Sequence, residues 1–200
     1  MNNEQLLQMY DAIRQQPDLL VKAAARKRLI NFARYMQPDL VLEPFHVVYY
    51  TLLDMFAHGK IRKMIVQQPP QHGKSEGSSR KLPAFMEGLN PDLKIVIGSY
   101  AATIARDFNR DVQRIIDTPR YRELFPGTYL NGSNVVTMAN TYLRNSDVIE
   151  MVGRKGSLRV VGRGGSLTSK TVDVSILDDV YKDYAEGNSP IVRAAAWKWY

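Results

Sequence analysis

The sequence predicts an α/β domain with a mainly parallel central sheet, helices on both faces and an antiparallel insertion. Three observations lead there. Apolar runs of strand length alternate with amphipathic stretches of helical period along most of the 200 residues. Residues 93–99 (LKIVIGS) are apolar at consecutive positions, the mark of a strand buried on both faces. Residues 119–156 break the rhythm, with Pro126, Gly127, Asn131 and Gly132 as turn signals and short strand-like pieces around Val135 and Val148.

Residues 1–40 read as an N-terminal helical segment and 41–200 as the main domain. Leu6, Leu7, Tyr10 and Ile13, then Leu29, Phe32 and Ala33, recur near the helical period, and Pro17 and Asp18 divide them into two helices. The basic cluster Arg26, Lys27, Arg28 on the second reads as a solvated face. From Phe45 to His58, the spacing of Val47, Tyr50, Leu53, Met55 and Phe56 predicts another amphipathic helix.

Residues 63–67 (KMIVQ) predict the first core strand, ended by Pro69 and Pro70, which cannot continue a ladder. A helix follows Gly73 to about Met86, kinked at Pro83, with Gly88, Asn90 and Pro91 as stop signals. After the 93–99 strand, Ile104, Phe108, Val112, Ile115 and Ile116 mark one face of a helix. Residues 158–161 and 172–177 are the last two strands, separated by a glycine turn at 162–165 and a polar Ser/Thr segment.

Composition narrows the function. Twenty-seven Lys and Arg against 20 Asp and Glu give a net charge of +7, which favours an anionic partner without identifying one. No cysteine means no disulfide framework or thiolate metal site, and three scattered histidines argue against zinc. Any metal is expected to be magnesium held by oxygens. No apolar run approaches the roughly 18 residues of a membrane span, and the N-terminus lacks a signal-peptide layout, so a cytosolic protein without a membrane partner is expected.

The chemistry is concentrated in two segments. Gln68-Pro69-Pro70-Gln71-His72-Gly73-Lys74-Ser75 follows a predicted strand and opens a predicted helix, the setting a phosphate-binding loop requires. Backbone N–H groups there can cradle phosphate oxygens at the positive end of a helix dipole. Lys74 would reach the β and γ phosphates as a point charge, and the Ser75 hydroxyl would ligate magnesium. Gln68 stands where the usual motif has its first glycine, and the competing reading is an ordinary helix-start turn.

The second segment is the apolar strand ending in Asp178 and Asp179. Burying two consecutive acids is costly unless they have partners or work. Strand alternation sends them to different sides, Asp178 toward a metal and Asp179 toward an attacking water. The competing reading is a strand ending in a solvated acidic turn.

Together these residues resemble the large terminase subunit, the DNA-packaging ATPase of tailed bacteriophages. Residues 69–76 (PPQHGKSE) are similar to the family's PPRHGKSE loop and residues 177–179 (LDD) to its IDDP motif. Weaker similarities cover roughly residues 40–200: 88–91 (GLNP), Ser99-Tyr100, Phe125-Pro126, 162–168 (GRGGSLT) and 197–200 (WKWY). The resemblance implies a RecA-like P-loop ATPase using ATP and Mg²⁺, with Pro70, Gln71, His72, Gly73, Lys74, Ser75 and Glu76 around the nucleotide, Ser75 and Asp178 on the metal, and Lys74 and Asp179 in catalysis. Three positions depart from the pattern: Gln71 replaces an arginine, Asp179 stands where many members have glutamate, and Val180 replaces a proline.

Further expectations come only from the resemblance. Glu43-Pro44-Phe45-His46 stands where the family has its adenine-side motif, so Phe45 could stack on the base and His46 bond its edge; Phe45 could equally be core. Arg163 or Lys170 is a candidate to reach a neighbouring subunit's ATP, a solvated turn residue being the alternative. The implied partners are double-stranded DNA, a portal protein, a small terminase subunit and further copies of the chain. The place is the cytoplasm of a bacterial host, transiently at the procapsid portal. The chain is expected to stop before a coupling motif and a nuclease domain. A helicase-like ATPase and an inert prophage remnant that only binds nucleotide are the alternatives.

Overall fold

The computed structural model describes residues 17–136, 141–166 and 171–199. The helical pattern at Leu6, Leu7, Tyr10 and Ile13, Lys170, Thr168 and Tyr200 lie outside them. The architecture is α/β: a four-stranded, mostly parallel sheet with helices packed against it.

The sheet consists of β1 (Lys94–Ser99), β2 (Val148–Glu150), β3 (Ser157–Gly162) and β4 (Val174–Leu177), in the order β2-β3-β1-β4. Central β1 pairs in parallel with β3 and β4, and β2 pairs antiparallel with β3. β1 is buried from Ile95 to Ser99, as its unbroken apolar run requires. Ile95 and Ile97 join the main core, while Gly98, on the alternate face, is closed over by Leu177 and Trp199. The antiparallel insertion is present as β2 and two isolated bridges, Val135 to Arg144 and Arg144 to Ile149.

The helices are α1 (Pro17–Lys27), α2 (Leu29–Met36), α3 (Pro44–Ala57), α4 (Leu82–Leu89), α5 (Ala102–Asp117), α6 (Pro119–Leu124), α7 (Tyr184–Asn188) and α8 (Pro190–Trp199), with a π-helical segment, Glu76–Lys81, ahead of α4. The core joins α2, α4, α5 and α6 through Phe32, Phe85, Val112, Tyr121 and Phe125 to Ile95 and Ile97. Rings of Phe32, Phe85 and Tyr121 meet tilted or edge-on at 5.4 and 6.1 Å. Each fully buried ring contributes on the order of 2–3 kcal/mol of transfer free energy.

Several expectations are corrected. Residues 63–67 do not form a strand, because none of them pairs with another of the described residues. They retain a period of two: Met64 and Val66 pack on the core, while Ile65 is 91% exposed. Pro17 opens a helix as its fixed φ allows, but the helical region breaks again at Arg28, whose backbone is extended. There Asp54 accepts from the Leu29 N–H at 2.8 Å and pairs with Arg28 at 3.0 Å, so a carboxylate from α3 caps α2. Arg26 is not simply solvated either, since it donates to the carbonyls of Glu123 and Leu124 at the end of α6. Pro83 lies inside a continuous helical run, with only Leu82 between it and the end of the π-helical segment, and the run continues to Leu89 rather than Met86. Helix α6 was not expected at all; Thr118 caps it by accepting from the Tyr121 N–H. Among the described residues no helix is long and apolar enough to cross a membrane.

Glu87 of α4 is fully buried, and neither carboxyl oxygen has a hydrogen-bond partner. Burial, with a smaller contribution from the charge of Asp92, pushes its pKa well above the usual carboxylate range. A folded-state value above the unfolded one gives stability that is full at low pH and lost as pH rises through the raised value. Glu87→Gln should remove that slope. Urea unfolding is expected to show the variant gaining on the parent as pH rises above the ordinary glutamate range, by at most about 1.4 kcal/mol per pH unit. Parallel pH profiles for the two proteins would contradict the neutral, buried carboxyl.

Candidate nucleotide site

The predicted phosphate loop lies at the carboxyl edge of the sheet. Gln71 (φ 62) and Gly73 (φ 77) are both left-handed, with His72 between them at negative φ. Such alternation turns successive backbone N–H groups into one concavity, the geometry of an anion nest. Among the described residues only Gln71 and Asp179 (φ 48) are non-glycine residues at positive φ, and both belong to this site. Strain of this kind costs on the order of 1 kcal/mol or more per residue and collects at functional sites.

After Gly73 the chain turns helical at Lys74 and runs as π-helix from Glu76 to Lys81. The wider turn brings residues five apart together, so Glu76 pairs with buried Lys81 at 2.9 Å. The Lys74 carbonyl accepts from two hydroxyls, that of Tyr49 at 2.5 Å and that of Ser78 at 2.9 Å. Burial pushes the Tyr49 pKa up to about 12, which keeps its hydroxyl a donor. Gly77 permits this approach, because a Cβ there would stand 2.5 Å from the Tyr49 ring. Alanine in a helix ordinarily stabilises by about 1 kcal/mol relative to glycine. Gly77→Ala is instead expected to destabilise by about 1–3 kcal/mol through overpacking. Urea melts check the sign, and a net gain would mean that Tyr49 does not anchor the loop.

The start of α3 meets the same loop. His46 Nδ1 accepts from the Glu43 N–H at 3.0 Å, which leaves the proton of the neutral ring on Nε2. Nε2 faces Gly73, lying 3.3 Å from where a Cβ on that glycine would be. The Phe45 ring is 3.9 Å from that of His46 and 5.6 Å from that of His72, and it is partly exposed. Phe45 is therefore not a core residue. It forms an aromatic edge on the loop.

β4 delivers the acids. The Asp178 N–H donates to the Gly98 carbonyl at 2.8 Å and the Tyr100 N–H to the Asp179 carbonyl at 2.9 Å, so the β1 end fixes both residues. Asp178 is 3% exposed and the Asp179 side chain 63% exposed, but they do not point to opposite sides as expected: β4 ends at Leu177, and the left-handed backbone of Asp179 (φ 48) brings both carboxylates to the same ammonium. The Lys74 ammonium lies 3.1 Å from Asp178 and also pairs with Asp179. Burial pulls the Lys74 pKa down, but the hydrogen bonds and charges of the two acids outweigh it and raise the value above the usual.

The hydroxyl on Asp178 is that of Ser79, donating to Oδ2 at 2.6 Å. Ser75 is half-buried and among the described residues its side chain has no hydrogen-bond partner, so the structure brings Lys74, Asp178 and Asp179 together but not Ser75 with Asp178. The donors here are all oxygens, which fits magnesium, an ion that takes one or two carboxylates and completes its shell with water and phosphate oxygens. Among the described residues no cluster of three or more His, Asp or Glu could hold a metal by itself.

Two buried polar atoms beside the site have no partner: Oε1 of Gln68, before the loop, and Oγ of Ser99, at the end of β1. Pro70 and Gln71 are exposed on the loop, and the Pro70 carbonyl contacts His72 Nδ1 at 2.8 Å. Glu76 pairs forward along the helix with Lys81 and Arg80. Arg163 is held within its own chain: its guanidinium grips Glu186 at 2.9 and 3.2 Å and donates to the Val180 carbonyl.

Sequence reasoning missed Ser79, Tyr49 and Glu186. Tyr49 had a readable signal, being three positions after His46 and so on the same helix face. Ser79 had none, because a π-helical turn is not written in the local pattern. No family model, curated protein or solved structure matches this chain.

Proposed function

We propose that the chain is an ATP-binding and ATP-hydrolysing domain with a RecA-like P-loop fold. The observation that carries this reading is the meeting of Lys74, from the loop, with two acids more than a hundred positions later, at the carboxyl edge of a parallel sheet. A lysine held between a nest of backbone N–H groups and a buried carboxylate is the charge arrangement that a magnesium-bound triphosphate completes.

In this reading the loop backbone at 71–74 orients the β and γ phosphates, and Lys74 exchanges its acids for phosphate oxygens. Asp178 and a serine hydroxyl, Ser75 or Ser79, hold magnesium, which when bound neutralises charge on the phosphates. Asp179, on the solvent side, orients the attacking water and takes its proton. Phe45 offers a face to the base, and the Nε2–H of His46 a donor beside it.

The motif resemblance extends the proposal to a large terminase subunit that powers packaging of double-stranded DNA. Its partners would then be a portal protein, a small terminase subunit and further copies of the chain, at the procapsid portal in a bacterial cytoplasm. Titration calorimetry with ATP and magnesium, followed by steady-state phosphate release, tests the core of the proposal. Saturable binding that requires magnesium is expected, and no binding at millimolar ATP would overturn it.

A further inference from the structure

A second basic feature lies away from the nucleotide site. Lys74, Asp178 and Asp179 stand at the carboxyl ends of the parallel strands. At the amino ends, about 15–20 Å away at ordinary strand rise, a cavity of about 380 Å³ opens between the starts of β1 and β3 and the end of β2. Its walls carry Lys94, Arg154, Lys155 and Arg159 against a single carboxylate, Glu150.

That carboxylate is already committed. Glu150 accepts from the Leu143 N–H at 3.0 Å and lies 3.9 Å from Arg159. The nearby acids Asp92 and Asp173 accept from the backbone N–H groups of Lys155 and Lys94 at 2.8 Å each and keep their charge, but among the described residues neither lies within ion-pair distance of a side chain of the cavity. Among the described residues, Lys94, Arg154 and Lys155 have no carboxylate or hydrogen-bond partner for their side chains. Elsewhere in the chain most arginines near an acid are paired with it, as Arg80, Arg106, Arg144 and Arg163 are. Three unpaired cations converging on one concave, polar-walled space, in a chain of net charge +7, form a focus of positive potential.

We propose that this cavity binds a phosphate group of a nucleic-acid backbone. Lys94, Arg154, Lys155 and Arg159 all line it, Arg154 and Lys155 from the exposed turn before β3. The cavity offers no stacked pair of aromatic rings for a base, so contact is made to phosphate and sugar without reading sequence. Identification of the polyanion as DNA rests on the terminase reading above. The convergence of cations does not.

The test uses the whole chain. Anisotropy of a labelled short DNA duplex is measured over a series of potassium chloride concentrations for the parent, for Arg154→Gln with Lys155→Gln, and for Lys27→Gln with Arg34→Gln. The second pair removes the same charge from exposed positions on α1 and α2. The cavity pair is expected to weaken binding on the order of tenfold at moderate salt and to flatten the slope of log K against log salt by about 2. The control pair should change affinity no more than about twofold.

Inorganic phosphate as competitor distinguishes the source. Displacement of the duplex only at concentrations where sulfate and chloride act equally is expected of a backbone site; displacement by micromolar phosphate would overturn the nucleic-acid assignment in favour of a free anion. Equal losses in the two variant pairs, or none in the cavity pair, would overturn the proposal. A parent that binds no DNA, while still binding ATP, would remove the DNA partner and this site with it, leaving the nucleotide site standing. ATP affinity measured on each variant confirms that the fold and the opposite sheet edge are intact.

Discussion

Lys74→Ala is expected to reduce affinity for magnesium-ATP by on the order of a hundredfold, the scale of losing a charge-assisted contact to phosphate. The structure adds a second consequence. Lys74 is also the counter-ion of Asp178, which is 3% exposed, so the variant leaves a buried carboxylate unpaired. A cost of about 2–3 kcal/mol in stability is expected, less than for a fully enclosed pair because Lys74 is itself partly exposed. The two effects separate in the double variant Lys74→Ala with Asp178→Asn. Neutralising the acid should restore most of the stability lost in urea unfolding, while ATP binding measured by calorimetry should not return. If the double variant regains nucleotide affinity along with stability, Lys74 is a structural cation and the phosphate-loop assignment fails.

What could be read from sequence and what could not divides along the range of the interactions concerned. Lys74, Asp178 and Asp179 were legible because each sits in a short motif, although for Lys74 only the helix that follows is present and not the strand expected before it. The β1 run could be recognised because burial on both faces leaves no polar alternation. Residues 63–67 misled because their composition suits a strand, while strand formation needs a partner that composition does not supply; Ile65 ends in solvent instead. The break at Arg28 depends on Asp54, 25 positions after the Leu29 it caps, and the grip on Arg163 on Glu186, 23 positions away. Neither pairing has a local signature. Helix α6 is a different case, since Thr118 followed by Pro119 is a readable start signal hidden by the turn residues around it.

The π-helical segment shows how a local irregularity changes the site. An α-helix beginning at Lys74 would place the next turn's residue near position 78, whereas the wider turn presents Ser79 to Asp178. The hydroxyl that shares a carboxylate with Lys74 is therefore not the one next to it in sequence. Among the described residues Ser75 has no side-chain partner, and it stays half-buried at the head of the helix, beside the nest.

Asp179→Asn is expected to separate binding from chemistry. Asparagine is among the few residues that tolerate a left-handed backbone, so the strained φ of 48 at this position survives the substitution and only the charge is lost. In the parent, an incoming triphosphate competes with both Asp178 and Asp179 for the Lys74 ammonium. Removing one competitor should leave ATP affinity unchanged or raise it a few-fold, on the order of 1 kcal/mol or less. Turnover should move the other way. A positioned base that accepts the proton of the attacking water is worth about 10²–10⁴-fold in rate, and the amide cannot accept it. Calorimetry gives the affinity, and phosphate release in a single turnover at saturating ATP gives the rate. A rate within about twofold of the parent would remove Asp179 from the chemistry and leave it a partner of Lys74 alone, whereas lost affinity with an unchanged rate would place it on the metal instead of the water.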